Sequence, residues 1–346
     1  MIDRVVARKV GRRVLGGPGD PAPLPGDLDA LAQDAEARVV AYTGLKPARP
    51  LPPAEAVDRE TWLDANVDSM ARLLEPLEGR LARNAPGALA GPLRLAAGVL
   101  LGAEVGALGG FLGRRVLGQY DLALLDAEVT PRLLLVAPNL TDAARELKVD
   151  PASLLAWVTF HETTHAVQFA GVPWLREHLA GLLRRLLETA EVQVDPSALL
   201  RLPGRADLES LVTAAREGTL LQHVAGPERS SLLDRVQATM AVIEGHAEHV
   251  MDAVGADVLP DVEELRAALS RRRANRPPLL VWLDRLLGME LKLRQYQVGK
   301  AFCDGVVAEA GVEGLHRVFA HPELLPALDE LDDPAGWVRR THVPPA

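Results

Sequence analysis

The chain has 346 residues, 48% apolar and 25% charged, which is enough apolar material for a large core and excludes wholesale disorder. Asp and Glu outnumber Lys and Arg by 47 to 38, and a net charge of −9 excludes a broad nucleic-acid-binding surface. Cys303 is the only cysteine, so no intramolecular disulfide and no cysteine-built zinc site can form.

Residues 1–15 are basic (Arg4, Arg8, Lys9, Arg12, Arg13) but lack the continuous apolar run of a secretory signal, so the cytoplasm is the expected location. Gly/Pro-rich loops are predicted at 16–26 and 47–53, with a helix over Leu28–Tyr42 between them. Residues 1–59 are expected to form an N-terminal extension packed on a core domain of 60–346. Asp58–Ala85 reads as a long amphipathic helix, with Trp62, Val67 and Met70 at helical spacing.

Leu95–Gly113 is the most apolar stretch, and Glu104 is its only charge. It carries Gly98, Gly102, Gly106 and Gly110, a smooth stripe on a helix where another backbone can come close. A buried core helix is the expectation, because Glu104 is costly in lipid and no second span exists; the rival is a membrane-contacting hairpin. Short strands are predicted at Tyr120–Leu125 and Arg132–Val136, with Pro138-Asn139 ending the second. Thr141 is expected to cap a short helix, and Asp150 with Pro151 to open the next. From there the pattern is helical nearly to the end. Breaks are predicted near Pro173, Pro196, Pro203-Gly204, Gly226-Pro227, Gly255, Pro260, Pro277-Pro278 and Pro322. The Arg271-Arg272-Arg273 run is expected beside a loop and solvated.

The chemistry concentrates in His161-Glu162-Thr163-Thr164-His165. On a helix, positions i and i+4 stand about 40° apart and one turn up, so both imidazoles can reach one zinc ion. Glu162 then faces a water on the metal and can take its proton, later passing it to a leaving amine. Val158-Thr159-Phe160 and Ala166-Val167 give the motif the uncharged surround of a buried metal helix, expected near 152–170.

One protein ligand remains to be found. Met240–Asp252 should lie in a helix near 230–254 with a buried stripe of Met240, Ile243, Ala247, Val250 and Val254. Glu244 lies roughly 80° from the stripe centre and Glu248 roughly 120°. Glu244 is therefore the predicted third ligand, and Gly245 beside it would admit a second helix. Glu248 suits a partner for the far nitrogen of a zinc-bound histidine. Two alternatives stay open: Glu248 as ligand with Asp252 behind it, or His246 completing an all-histidine site. His249 is as readily placed on a solvated face.

An HExxH helix with a glutamate on a later helix, here 79 residues after His165, resembles a gluzincin arrangement. Three further segments narrow the resemblance: Leu117-Gly-Gln-Tyr-Asp121, Leu291-Lys-Leu-Arg-Gln-Tyr296, and Leu325-Pro326 with Asp333-Pro334 and Trp337. With them, the chain from about residue 60 onward is similar to actinobacterial-type zincin-like proteins associated with biosynthesis of the deazaflavin coenzyme F-420. The resemblance implies a zincin-like fold and a metallopeptidase. The coenzyme association implies no reaction.

A zinc hydrolase also needs a donor for the oxyanion. Tyr296, near Arg294 on a long C-terminal helix, is the candidate, with His246 its rival. Ser230-Ser231 near His223 lacks a nucleophile elbow, and Gly-rich 102–113 lacks the Gly-Lys-Ser/Thr of a phosphate loop. The expectation is a mainly α, two-lobed, zincin-like domain with a small β element. It would bind one zinc per chain and hydrolyse a peptide or small amide. A catalytically silent scaffold and an amidohydrolase acting on a coenzyme precursor are the alternatives.

Overall fold

A computed structural model describes residues 2–19, 23–84, 90–122, 124, 128–189, 227–258, 262–274 and 291–342. The fold is mainly α with one small sheet, and the chain divides into two compact units. The first is Met1–Ala180 with Val250–Ser270; the second is Gly181–His249 with Arg271–Ala346. The expected breaks at Pro196, Pro203-Gly204, Pro260 and Pro277-Pro278 lie outside the described residues.

The first unit opens with α1 (Arg4–Leu15), whose first-turn N–H groups are capped by the Asp3 carboxylate. Three of its basic residues, Arg4, Arg8 and Arg12, are engaged by acids. Arg8 donates to Asp68 and Arg12 to Asp64, both at 2.7 Å, and Arg12 also reaches Glu60 on α3 (Arg59–Asn84). The three acids recur every four residues, so they line one face of α3 opposite the arginines.

The glycine stripe lies on α4 (Ala90–Gly113), and the backbone that approaches it is α1. The Asp3 N–H donates to the Gly98 carbonyl at 3.0 Å. A side chain on Gly102, Gly106 or Gly110 would occupy the space of the Asp3, Ala7 and Gly11 carbonyl oxygens in turn. The two helices therefore run parallel, backbone against backbone. No helix among the described residues is long and apolar enough to cross a membrane.

The sheet has the order β1-β3-β2, with β3 (Arg132–Val136) in the middle, parallel to β1 (Ala54–Val57) and antiparallel to β2 (Gly118–Asp121). The strand β1 was not expected. It is four residues long, follows a Pro-rich loop, and pairs with residues far along the chain. The strand β2 begins earlier and ends sooner than predicted. Leu133–Val136 are buried on both faces of the sheet, Leu134 and Val136 against Trp62, Leu63 and Val67, and Leu135 in the cluster that holds Leu154, Trp157 and Phe160. A central strand covered on both sides reads as a continuous apolar run, as this one does.

Helix α5 (Ala137–Leu147) follows β3 directly, so Pro138 lies in its first turn instead of ending the strand. Thr141 is no cap: it sits within the helix and its hydroxyl donates to the Ala137 carbonyl. Asn139, buried, ties the turn after α4 to α5 by donating to the Gly113 and Val116 carbonyls. Helix α6 (Pro151–Gly171) starts as expected, with Asp150 accepting from the Ser153 N–H and Pro151 at its first position. It packs on α2 (Leu28–Thr43), α5, β2 and β3. Helix α7 (Leu175–Glu188) follows after a short break.

Helix α8 (Pro227–Val258) is continuous and supplies both units. It does not break at Gly255; a glycine within a helix costs only about 1 kcal/mol, and Val250, Met251 and Val254 are buried with Leu154 and Trp157 in the core of the first unit. Helix α9 (Val262–Ala274) follows and carries Arg271–Arg273 at its C-terminal end.

In the second unit, α10 (Leu291–His316) meets α8 where both carry glycine. A side chain on Gly245 would collide with the Gly299 backbone, and one on Gly299 with Ala241. Gly245 thus admits a close helix, and that helix is α10, not the zinc helix. Phe302 and Trp337 meet edge to face at 5.4 Å. Trp337 lies on α11 (Pro334–His342), which Asp333 caps through the Gly336 N–H, and its indole donates to the Leu324 carbonyl.

Candidate metal centre

His161 and His165 stand one turn apart on α6, and their Nε2 atoms converge to 3.3 Å. The rings meet edge to face with centroids 4.7 Å apart. Thr163 and Thr164, between the two histidines in sequence, are buried, and the Thr164 hydroxyl donates back to the Phe160 carbonyl.

His165 Nδ1 lies 2.9 Å from Gln168 Oε1. A carboxamide oxygen can only accept, so this contact is a hydrogen bond in the tautomer with the proton on Nδ1, the one that leaves the Nε2 lone pair for a metal. Gln168 is completely buried. Sequence reasoning missed it, although its place three residues after His165 on one helix was a usable signal.

Glu162 faces the other way, toward the sheet. Its Oε2 accepts from the Tyr120 N–H on β2 at 2.9 Å. The reason follows from the pairing. Val136 donates to the Leu117 carbonyl, so residues 117, 119 and 121 exchange bonds with β3 and the backbone polar groups of Gly118 and Tyr120 point to the outer edge. Gly118 sets the spacing, because a Cβ there would lie 2.7 Å from Val158 Cγ1 and 2.8 Å from Glu162 Cγ. Gln119 points the opposite way, where its Oε1 accepts from the Trp62 indole at 2.7 Å and pins β2 to α3. Tyr120 stacks near Phe169, one turn after His165. Burial pushes its phenol up to about 12, with a nearby Arg176 acting in the opposite sense, so the hydroxyl stays protonated at neutral pH.

The other predicted residues are placed as follows. Glu244 lies on α8, two turns before the buried Val250 and Met251. Glu244 belongs to the second unit and is the acid proposed to join the two histidines of α6. His246 is buried and meets the edge of Phe319 at 4.8 Å. Glu248 is 8% exposed, so it does not sit on a solvated face. His249, also buried, bonds through Nδ1 to Asp304 at 2.7 Å. Asp252 pairs with Arg266 in the first unit. Arg294 and Tyr296 belong to the first turns of α10, but their side chains lie outside the described residues.

The donor set fits zinc. Two nitrogens about 2.05 Å from one ion and tetrahedrally disposed lie about 3.35 Å apart, which matches the separation of the two Nε2 atoms. A single carboxylate added to these two imidazoles would leave the open position that catalytic zinc sites keep.

The model of a family described as zincin-like metallopeptidases matches residues 2–338. The match begins before α1, so the first helices and β1 belong to the matched region. A crystal structure from Chloroflexus aurantiacus, described as a candidate hydrolase with a novel fold, is 29% identical, covers 100% of both chains and superposes with a TM-score of 0.74. No curated protein matches.

Proposed function

We propose, because this chain belongs to the zincin-like metallopeptidase family, that it is a zinc-dependent hydrolase of peptide bonds. The observation that carries the reading is the pair of Nε2 atoms 3.3 Å apart on α6. His161, His165 and Glu244 would hold one zinc per chain. A zinc ion supplies a Lewis acid that polarises the substrate carbonyl and acidifies water.

The chain's own residues do the rest. Glu162 Oε2 is engaged by the Tyr120 N–H, which leaves Oε1 to take the proton from the attacking water and return it to the leaving amine nitrogen. The outer edge of β2 supports an extended peptide as substrate, since the Gly118 backbone groups face it beside Glu162. Glu248 and Tyr296 remain proposals as a partner of a ligating histidine and an oxyanion donor. The association with coenzyme F-420 biosynthesis and a cytoplasmic location belong to the same proposal, and the coenzyme link directs one arm of the substrate screen.

The test is metal analysis of wild type, His161→Ala and His165→Ala, followed by a screen of peptides and small amides with Glu162→Gln as control. About one zinc per chain is expected in wild type and none in the histidine variants. Glu162→Gln should keep zinc and fold and lose hydrolysis, because an amide cannot accept the proton. Equal metal in all three proteins would end the zinc reading. Turnover by zinc-loaded Glu162→Gln would assign the base elsewhere.

A further inference from the structure

We propose that Gln168 is a positioning residue that fixes the tautomer of His165 and thereby sets the metal affinity of the site. The inference rests on the zinc reading. A neutral imidazole carries one N–H and one lone pair, and only the lone pair binds a metal. With Gln168 Oε1 2.9 Å from Nδ1, the proton is held on Nδ1 and the Nε2 lone pair is turned toward His161 Nε2 at 3.3 Å.

Three features make the bond decisive. Donor and acceptor sit three residues apart on α6, so no loop has to be ordered to form it. Gln168 is 0% exposed, so its carboxamide is a fixed part of the core and not a mobile surface group. The two residues before it, Ala166 and Val167, are fully buried as well, so the backbone that carries the side chain is fixed in the core. The amide also differs from a carboxylate in one respect. It orients the ring without adding negative charge to a centre for which one acidic ligand, Glu244, is proposed. Tuning of this kind is what partners of ligating histidines commonly supply.

The experiment uses the full chain stripped of metal, zinc alone as probe, and a chromophoric chelator as competitor. Gln168→Leu keeps the volume roughly and removes the acceptor; its zinc Kd should rise about 10–100-fold. Gln168→Glu restores an acceptor and should bind zinc at least as tightly as wild type. In metal-free wild type, 15N imidazole shifts should show His165 as the Nδ1–H tautomer, and that preference should be lost in Gln168→Leu. A purely structural Gln168 would lower the melting temperature of both variants without separating their zinc affinities.

Unchanged zinc affinity in a folded Gln168→Leu overturns the proposal alone. So does an Nε2–H tautomer of His165 in wild type, a measurement that stands even where Gln168→Leu fails to fold. A wild type that binds no zinc overturns the zinc reading and the proposal with it.

Discussion

Two glycine contacts in the first unit look alike in sequence and do different work. Along α1 and α4, Gly102, Gly106 and Gly110 each face a main-chain carbonyl of the neighbouring helix. At β2 and α6, Gly118 faces side chains, Val158 and Glu162. The first contact repeats at every turn and bears only on stability. The second occurs once and decides how far the proposed base stands from the strand that holds it. A glycine against backbone has a neighbour that cannot move. A glycine against a side chain has one that can, at the expense of that side chain's position.

The largest effect is therefore expected at the middle of the stripe. Gly106→Val would drive a branched side chain into the Ala7 carbonyl, and overpacking of this kind typically costs about 1–3 kcal/mol, sometimes more. Thermal unfolding should show a drop of several degrees or outright failure to fold. Zinc content per folded chain should stay unchanged, because no ligand lies on either helix. A Gly106→Val protein as stable as wild type would mean that α1 does not pack on α4 this way.

Gly118→Ala should be milder for the fold and harsher for the reaction. Val158 and Glu162 can each give way by rotating, so stability should fall by about 1 kcal/mol. The Glu162 carboxylate would leave the Tyr120 N–H, and misplacement near 1 Å can cost about 10²-fold in rate. The measurement is kcat on whatever substrate the screen yields, beside zinc content. If Gly118→Ala loses stability and activity in the same proportion as Gly106→Val, the two contacts are equivalent and the distinction collapses.

These contacts also show what could be seen before the fold was known. The stripe of glycines announced a close backbone, but not whose, because α1 lies about 100 residues earlier in the chain. Asp150-Pro151 and the histidine spacing located α6 almost to the residue, since caps and helical period are local properties. The bond from Tyr120 to Glu162 had no signature, because a backbone N–H is present in every residue and only strand register aims it. The strand β1 was hidden for a related reason: its pairing is with Leu133–Val136, and four residues after a proline run carry little pattern. Gln168 was within reach, being local to its partner. An uncharged amide in an apolar run carries less signal than the acids of α8.

The smallest effect is expected at the third close contact, between α8 and α10. There Gly245 and Gly299 bring the backbones together, and a charged cluster lies one turn away: Asp304 accepts from Lys300 at 2.5 Å and bonds His249 at 2.7 Å. Burial alone would raise the Asp304 carboxyl, but the hydrogen bonds from Lys300 and His249 outweigh it and hold the group below its ordinary value. A carboxyl lowered in the folded state contributes stability that is present above its unfolded pKa, about 3.9, and is lost as pH falls through the folded value. The Asp304 side chain is 44% exposed, so solvent screening keeps the contribution to about 0.2–1 kcal/mol. Asp304→Asn should lower stability at pH 7 by that amount and leave the variant's stability flatter than wild type below about pH 4. Denaturant melts at pH 7 and pH 3 on both proteins measure the difference. A variant whose deficit is the same at both values would show that the cluster acts through packing at the Gly245–Gly299 contact, and that its charge contributes nothing.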